Sequence, residues 1–158
     1  MNHLHYQDGH KRTLYHYTLC GLDDVYLVNG YERKSTPYGD GVVVQNMDEL
    51  HRAIGEHLVC SKKTLTGKEL RFLRHEMDLT QAHLGDLLRV TDQTIARWEK
   101  GEVPIQGPAD LLLRALYLGH ISRKFDVRVL AETLRTVDAA TEDKQLFTPT
   151  EHGWALAA

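Results

Sequence analysis

The sequence has few cysteines and no long apolar run, and each of these absences excludes a class of protein. Its 158 residues include two cysteines, Cys20 and Cys60, too few for a disulfide framework. No apolar stretch approaches the roughly 18 residues that a membrane-spanning helix requires. The first residues, MNHLHYQDGHKR, lack the apolar segment of a secretory signal. Together these absences predict a cytoplasmic protein with no membrane partner.

The composition is that of a globular protein, and its charge is unevenly distributed along the chain. Hydrophobic residues make up 42% and charged residues 26% of the sequence, and the net charge is −3. Residues 62–124 contain 11 Lys and Arg against 8 Asp and Glu, a net +3, whereas the rest contains 8 against 14, a net −6. Polyanion binding depends on the local field. The division therefore fits a mildly basic nucleic-acid-binding module joined to an acidic segment.

The first part of the chain, residues 1–61, predicts a small α+β unit with an antiparallel sheet and one helix. Its polar, His-rich start, residues 1–14, is predicted to be a loose arm. Asn29-Gly30 suits a two-residue turn with positive φ, and apolar residues at helical spacing follow residue 48. The predicted elements are a hairpin of residues 25–28 and 31–34, a turn at 37–41, a third strand at 42–45 and a helix at 48–59.

The second part, residues 62–137, predicts five helices, and a C-terminal tail of residues 138–158 follows it. Thr66, Thr80 and Thr91 each lie where an N-cap is expected, and Thr66 with Glu69 has the spacing of a capping box. The fourth helix should begin near Pro108, and the fifth should follow residue 126. Links of two or three residues force the second and third helices to cross steeply. That geometry presents the first turn of the third helix to a DNA major groove.

The same segment resembles a known family. Residues 79–88 (LTQAHLGDLL) and 90–101 (VTDQTIARWEKG) resemble the phage-repressor-like helix-turn-helix pattern of the XRE (Cro-type) family. Extended through residues 108–114 (PADLLLR), the stretch is similar to the MqsA (YgiT-type) antitoxins, which pair an N-terminal domain with a C-terminal helix-turn-helix. The resemblance implies an autorepressor that binds an inverted-repeat operator in double-stranded DNA as a homodimer. It also implies a toxin protein as a further partner.

The resemblance assigns roles to individual residues. Asp92, Gln93 and Arg97 match positions at which the family contacts bases, Gln81 matches a phosphate contact, and Arg74 with Glu99 matches a buried ion pair. The chemistry agrees, since Gln bonds adenine and Arg bonds guanine in bidentate fashion. Asp92 either accepts from cytosine N4 or uses its charge to disfavour binding at wrong sites. The family usually has glycine where this chain has Arg89, and a phosphate contact would compensate for a left-handed backbone there. The predicted DNA-contacting residues are Gln81, Arg89, Thr91, Asp92, Gln93, Thr94, Arg97 and Lys100.

Other kinds of site are less well supported by the sequence. The chain lacks the paired CxxC motifs with which the MqsA-type antitoxins bind zinc, so no cofactor or metal site is predicted. His57 and Cys60 lie three residues apart and leave a metal-responsive repressor as an alternative, beside a stand-alone ligand-responsive repressor without a toxin. Cys20 and His16 have no third orienting group and no oxyanion or phosphate motif near them, so the chain is not predicted to be an enzyme.

Overall fold

The computed structural model describes residues 3–5, 11–137 and 144–157, and within them the chain is a mixed α+β protein. It divides into two compact units. The first comprises Met1–Ala53 with Glu142–Ala158, and the second comprises Ile54–Thr141. The predicted boundaries at residues 61 and 137 differ from this division, because residues 142–158 belong to the first unit and its limit falls within a helix.

The described residues of the first unit form three sheets built from short strands. The strands are β1 (His3–His5), β2 (Lys11–Thr13), β3 (Tyr15–His16), β4 (Val25–Leu27), β5 (Tyr31–Thr36), β6 (Gly39–Val44), β7 (Gln145–Thr150) and β8 (Gly153–Leu156). The largest sheet has the order β3-β4-β7-β8, in which β4 and β7 run parallel and the other neighbours are antiparallel. β1 pairs with β2 and β5 pairs with β6 in separate antiparallel hairpins.

The core of the first unit explains which strands pair. Val25 and Leu27 are buried on one face of β4, and Phe147 of β7 is fully buried opposite Leu27. Tyr17 and Leu50 are also fully buried, and Leu50 lies on the first helix, α1 (Met47–Ser61). A strand with alternating buried residues is stabilised most by neighbours that supply further apolar side chains to the same face.

The predicted hairpin of residues 25–28 and 31–34 is wrong. β4 pairs with β3 and β7, whereas β5 pairs with β6 across a turn at residues 37–38. Gly30 does have a positive φ of 81°, but a Cβ there would lie 2.5 Å from Cη2 of Trp154. The Asn-Gly segment therefore turns the chain closely past the Trp154 indole and does not close a hairpin.

Residues 138–158 do not form a separate tail in the part that the structure describes. β7 and β8 join the main sheet, and Phe147 and Trp154 are 0% and 7% exposed. Two large aromatic side chains bury enough apolar surface to hold the segment in place. Residues 138–143 and 158 of the predicted tail, and residues 1–2 and 6–10 of the predicted arm, lie outside the described residues.

The second unit, as far as residue 137, is helical, with five helices at the positions expected from the sequence. They are α2 (Gly67–Glu76), α3 (Gln81–Leu88), α4 (Asp92–Glu99), α5 (Gly107–His120) and α6 (Val127–Thr136), and they follow the second half of α1. Thr66 and Glu69 form the predicted capping box, and Thr80 and Thr91 cap α3 and α4. α5 carries proline in its first turn and α6 is capped by Asp126.

A buried arginine fixes the link between α1 and α2. Arg114 is 0% exposed, and its guanidinium donates to Asp110 Oδ1 at 2.6 Å and to the carbonyl oxygens of Val59 and Lys62 at 3.1 and 2.6 Å. Asp110 Oδ2 accepts from the backbone N–H of Leu65 at 3.1 Å. The pair thus satisfies carbonyl groups at the end of α1 and holds the residues that lead into the α2 cap.

Candidate functional site

The turn between α3 and α4 is short and tightly packed. Three residues, 89–91, separate the two helices, and Thr91 Oγ1 accepts from the backbone N–H of Thr94 at 3.2 Å to begin α4. A Cβ at Gly85 would lie 2.7 Å from the carbonyl oxygen of Val90. Glycine at this position of α3 therefore lets the backbone of the turn approach the helix directly.

Arg89 ends α3 in the left-handed conformation, with φ 63° and ψ 38°. The backbone N–H of Val90 donates to the carbonyl oxygen of Gly85 at 2.9 Å, a bond that closes the end of the helix. A residue with a Cβ pays roughly 1 kcal/mol relative to glycine in this conformation. The Arg89 side chain is exposed, so it adds a cation to the turn.

A buried ion pair orients α4 against the preceding helices. Arg74 Nε and Nη2 donate to the two carboxylate oxygens of Glu99 at 2.6 and 2.9 Å, and Arg74 Nη1 donates to the carbonyl oxygen of Leu79 at 2.9 Å. The two side chains are 10% and 6% exposed. A bidentate pair at this burial constrains both distance and angle, so it locks α4 onto α2. This is the arrangement that the resemblance implied for these residues.

Gln81 lies in the same network. Its Nε2 donates to Glu99 Oε1 at 3.2 Å, and the residue is half-buried at the start of α3. The sequence predicted that Gln81 contacts a phosphate, whereas its amide here is engaged with the carboxylate that orients α4. The bond joins α3 to the pair between α2 and α4, so all three helices meet at Glu99.

One face of α4 is buried and the opposite face is open. Ile95 and Trp98 are 0% and 2% exposed, as expected for residues that pack under the helix. Gln93, Arg97 and Lys100 recur at a spacing of four and three residues, which places them together on the opposite side, and all three are exposed. The structure thus brings together three of the predicted DNA-contacting residues on one surface, hereafter the α4 face.

The first turn of α4 uses its polar side chains to cap the helix. The hydroxyls of Thr91 and Thr94 lie 3.0 Å apart and bond to each other. Asp92 Oδ1 accepts from the backbone N–H of Gln93 at 2.8 Å, so its carboxylate faces the positive end of the helix dipole. These three residues are beside the α4 face, and their side chains stabilise the turn that presents it.

Two glycines essential to this geometry were not singled out from the sequence. Gly85 lets the backbone of the turn between α3 and α4 pass close to α3. Gly67, in the first turn of α2, lies so close to α4 that a Cβ there would overlap the carbonyl oxygen of Trp98. Isolated glycine inside a helical pattern is the signal that identifies such close approaches. The pattern alone did not show which backbone each glycine meets.

The histidine and cysteine candidates are engaged in local contacts. His16 Nε2 lies 2.7 Å from the carbonyl oxygen of Asp23, and its ring stacks on Tyr26 at 4.5 Å. Cys20 Sγ donates to the carbonyl oxygen of Tyr17 at 3.6 Å, and Arg123 Nη1 lies 2.9 Å from Cys60 Sγ. Within residues 3–5, 11–137 and 144–157, no three His, Cys, Asp or Glu side chains converge to hold a metal ion. No helix in those ranges has the length and apolar character needed to cross a membrane.

Comparisons with protein-family models, curated proteins and solved structures found no match to the chain.

Proposed function

We propose that the chain is a sequence-specific DNA-binding transcriptional regulator in which α3 and α4 form a helix-turn-helix and α4 enters the major groove. The observation that carries the proposal is the α4 face itself: Gln93, Arg97 and Lys100 are exposed on one side of a short helix whose other side is buried. The B-DNA major groove accommodates one α-helix and displays the base edges that such side chains recognise.

The chemistry of the α4 face matches base recognition. Gln93 offers an amide that bonds N6 and N7 of adenine, and Arg97 offers a guanidinium that bonds O6 and N7 of guanine. Both residues are exposed, and Gln93 lies one turn before Arg97 on the helix. Ala96 between them has a small side chain, which leaves room for the helix to approach the floor of the groove.

The local charge favours a phosphate backbone. Among the exposed residues from 89 to 100, three are cations and one, Asp92, is an acid. Glu99 is not exposed, and its charge is balanced by Arg74. Arg89 in the turn and Lys100 at the end of α4 flank the base-contacting pair. Cations at both ends of the helix suit contacts to phosphates on the two sides of the groove.

The contacts that support the α4 face hold it rigidly. Binding energy and specificity both improve when a recognition surface is held in place before DNA arrives. Here the Thr91 cap fixes the start of α4, and the Arg74–Glu99 pair fixes its end. The Arg74–Glu99 pair is bidentate and its side chains are 10% and 6% exposed, so it constrains the angle between α4 and α2.

A single α4 contacts only a few base pairs, so operator discrimination requires two copies about one DNA turn apart, near 34 Å. We therefore include a homodimer and an inverted-repeat operator in the proposal. Repression of the protein's own gene and a toxin partner stay predictions that derive from the family resemblance.

The test is binding of the purified chain to its own promoter fragment at a stated, near-physiological salt concentration, with a scrambled fragment of equal length as competitor. We expect Arg97→Ala to weaken promoter binding by about 1–3 kcal/mol without changing the affinity for the scrambled fragment. The matched control is Arg128→Ala, which removes the same charge from α6, where the side chain is 88% exposed.

Two outcomes would contradict the proposal. If Arg97→Ala weakens binding to both fragments equally, Arg97 contacts a phosphate and not a base. If Arg128→Ala weakens promoter binding as much as Arg97→Ala does, the chain binds DNA through its overall charge and not through α4. If the unmodified chain binds the promoter no better than the scrambled fragment, the chain does not recognise sequence through α4.

A further inference from the structure

The outer edge of β8 is open. Among the described strands, β8 pairs only with β7, and none lies on its other side. The backbone N–H of Ala157 donates to the carbonyl oxygen of Leu146 at 2.7 Å, and the register pairs Leu156 with Phe147 and Trp154 with Pro149. Antiparallel pairs alternate between bonded and non-bonded positions. The backbone groups of Trp154 and Leu156 therefore point away from β7.

Apart from its short length of four residues, this edge has none of the features that keep open strands from pairing. Gly153–Leu156 contains no charged residue and no proline, and it ends in Leu156, an apolar side chain that is 45% exposed. Natural edge strands usually carry lysine, proline or a bulge that prevents association with another strand. An edge without charged residues or proline is able to pair with a further strand.

We infer that β8 pairs with β8 of a second copy, antiparallel and about a two-fold axis through Ala155, to form a continuous eight-stranded sheet. The choice of a second copy as the occupant rests on the proposed function, because an inverted repeat calls for two copies related by a two-fold axis. A two-fold axis pairs Trp154 of each copy with Leu156 of the other. The outward backbone groups of these residues then bond each other.

The side chains fit this register. Leu156 and Trp154 lie on the same face as Phe147, because directly opposed residues of an antiparallel pair share a face. Pairing would place each exposed Leu156 opposite Trp154 of the other copy and so cover an apolar side chain that is 45% exposed. The strand has no charged residue, so no like charges would meet across the axis.

The first test uses the full chain and measures its mass by sedimentation equilibrium at micromolar concentration without DNA. We expect twice the chain mass of 18.0 kDa for the unmodified protein and a single chain mass for Leu156→Pro. Proline at residue 156 removes an outward N–H but none of the bonds to β7, which use residues 153, 155 and 157. The control Leu156→Ala keeps the backbone groups and should stay dimeric, and far-UV circular dichroism checks that each variant folds.

A second test checks the register of the β8 pair and does not depend on a variant that could fail to fold. In a background of Cys20→Ser and Cys60→Ser, Ala155→Cys places two thiols on the two-fold axis, where opposed Cα atoms lie about 4.5 Å apart, within disulfide range. Ala157→Cys is the control, since its two copies would be about 13 Å apart. We expect a disulfide-linked dimer for residue 155 and almost none for residue 157.

A monomeric unmodified chain, a dimer that survives Leu156→Pro, or equal cross-linking at residues 155 and 157 would overturn the inference. Each of these measurements is made without DNA. A failed promoter experiment with a β8-linked dimer would therefore refute the DNA-binding proposal alone, and a monomer that recognises its promoter would refute the β8 dimer alone.

Discussion

Replacing Arg89 by glycine should separate two roles of the turn between α3 and α4. The residue has φ 63° and ψ 38°, and its side chain is exposed. Glycine adopts this conformation without the Cβ penalty, so we expect Arg89→Gly to raise the free energy of unfolding of the second unit by about 1 kcal/mol. The same change removes a cation from the proposed DNA surface, so stability and DNA affinity should move in opposite directions.

Arg89→Ala is the comparison that assigns each effect. Alanine keeps the Cβ strain and loses the guanidinium, so its stability should stay near that of the unmodified chain while its affinity falls with that of the glycine variant. Stability is measured by urea unfolding followed through Trp98 fluorescence in a Trp154→Phe background, since each unit contains one tryptophan. For a unit of this size, 1 kcal/mol corresponds to roughly 4–8 °C in Tm.

DNA binding of the same variants is measured over a range of salt concentrations. Loss of one phosphate contact should reduce the slope of log affinity against log salt by about 0.9. Backbone strain at residue 89 is refuted if the Arg89→Gly variant is no more stable than the Arg89→Ala variant. The assignment of Arg89 to a phosphate fails if both variants retain the original affinity and salt slope.

Three further predictions concern the support of the α4 face and the core of the first unit. Arg74→Ala leaves the Glu99 carboxylate buried without its cation and should lower the free energy of unfolding, measured in urea, by about 3–5 kcal/mol. A decrease of less than about 1 kcal/mol would show that the pair does not hold α4. Gly85→Ala places a methyl group 2.7 Å from a backbone carbonyl oxygen and should lower stability by about 1–3 kcal/mol. Its control is Gly119→Ala in α5, where a Cβ meets nothing within 4 Å and should not destabilise; equal effects would refute the close approach. Phe147→Ala should cost about 3–5 kcal/mol and expose the first unit to limited proteolysis, and unchanged protease resistance would contradict a structural role for β7.

Helix ends were the most predictable part of the fold. Thr66, Thr80 and Thr91 were identified from their spacing to the next apolar residues, and each accepts the expected backbone hydrogen bond. Caps depend on residues within one turn of each other, so their signal is contained in a few consecutive letters. Much of the candidate site follows from these local signals, because they place α3 and α4 and hence the periodic spacing of Gln93 and Arg97.

The contact between Gln81 and Glu99 could not be predicted from such local signals. The sequence places this residue at the start of α3, but the side chain bonds Glu99, 18 residues later in the chain. The direction of a side chain at a helix end depends on which neighbour lies nearest after packing. The same reason explains why Gly67 and Gly85 passed unnoticed, since their role is defined by the backbone that each one meets.

The sequence by itself determined the helices of the second unit, their caps and the residues that share the open side of α4, because helical periodicity and capping act over a few residues. Only the tertiary structure decided that β4 pairs with β7, in parallel and about 120 residues later, and not with the adjacent β5. Two parallel strands are not joined by a tight turn, so the sequence between β4 and β7 carries no signal of their pairing. The pairing is stabilised by burial of Phe147 and Trp154, and this burial exists only once the distant segments are packed together.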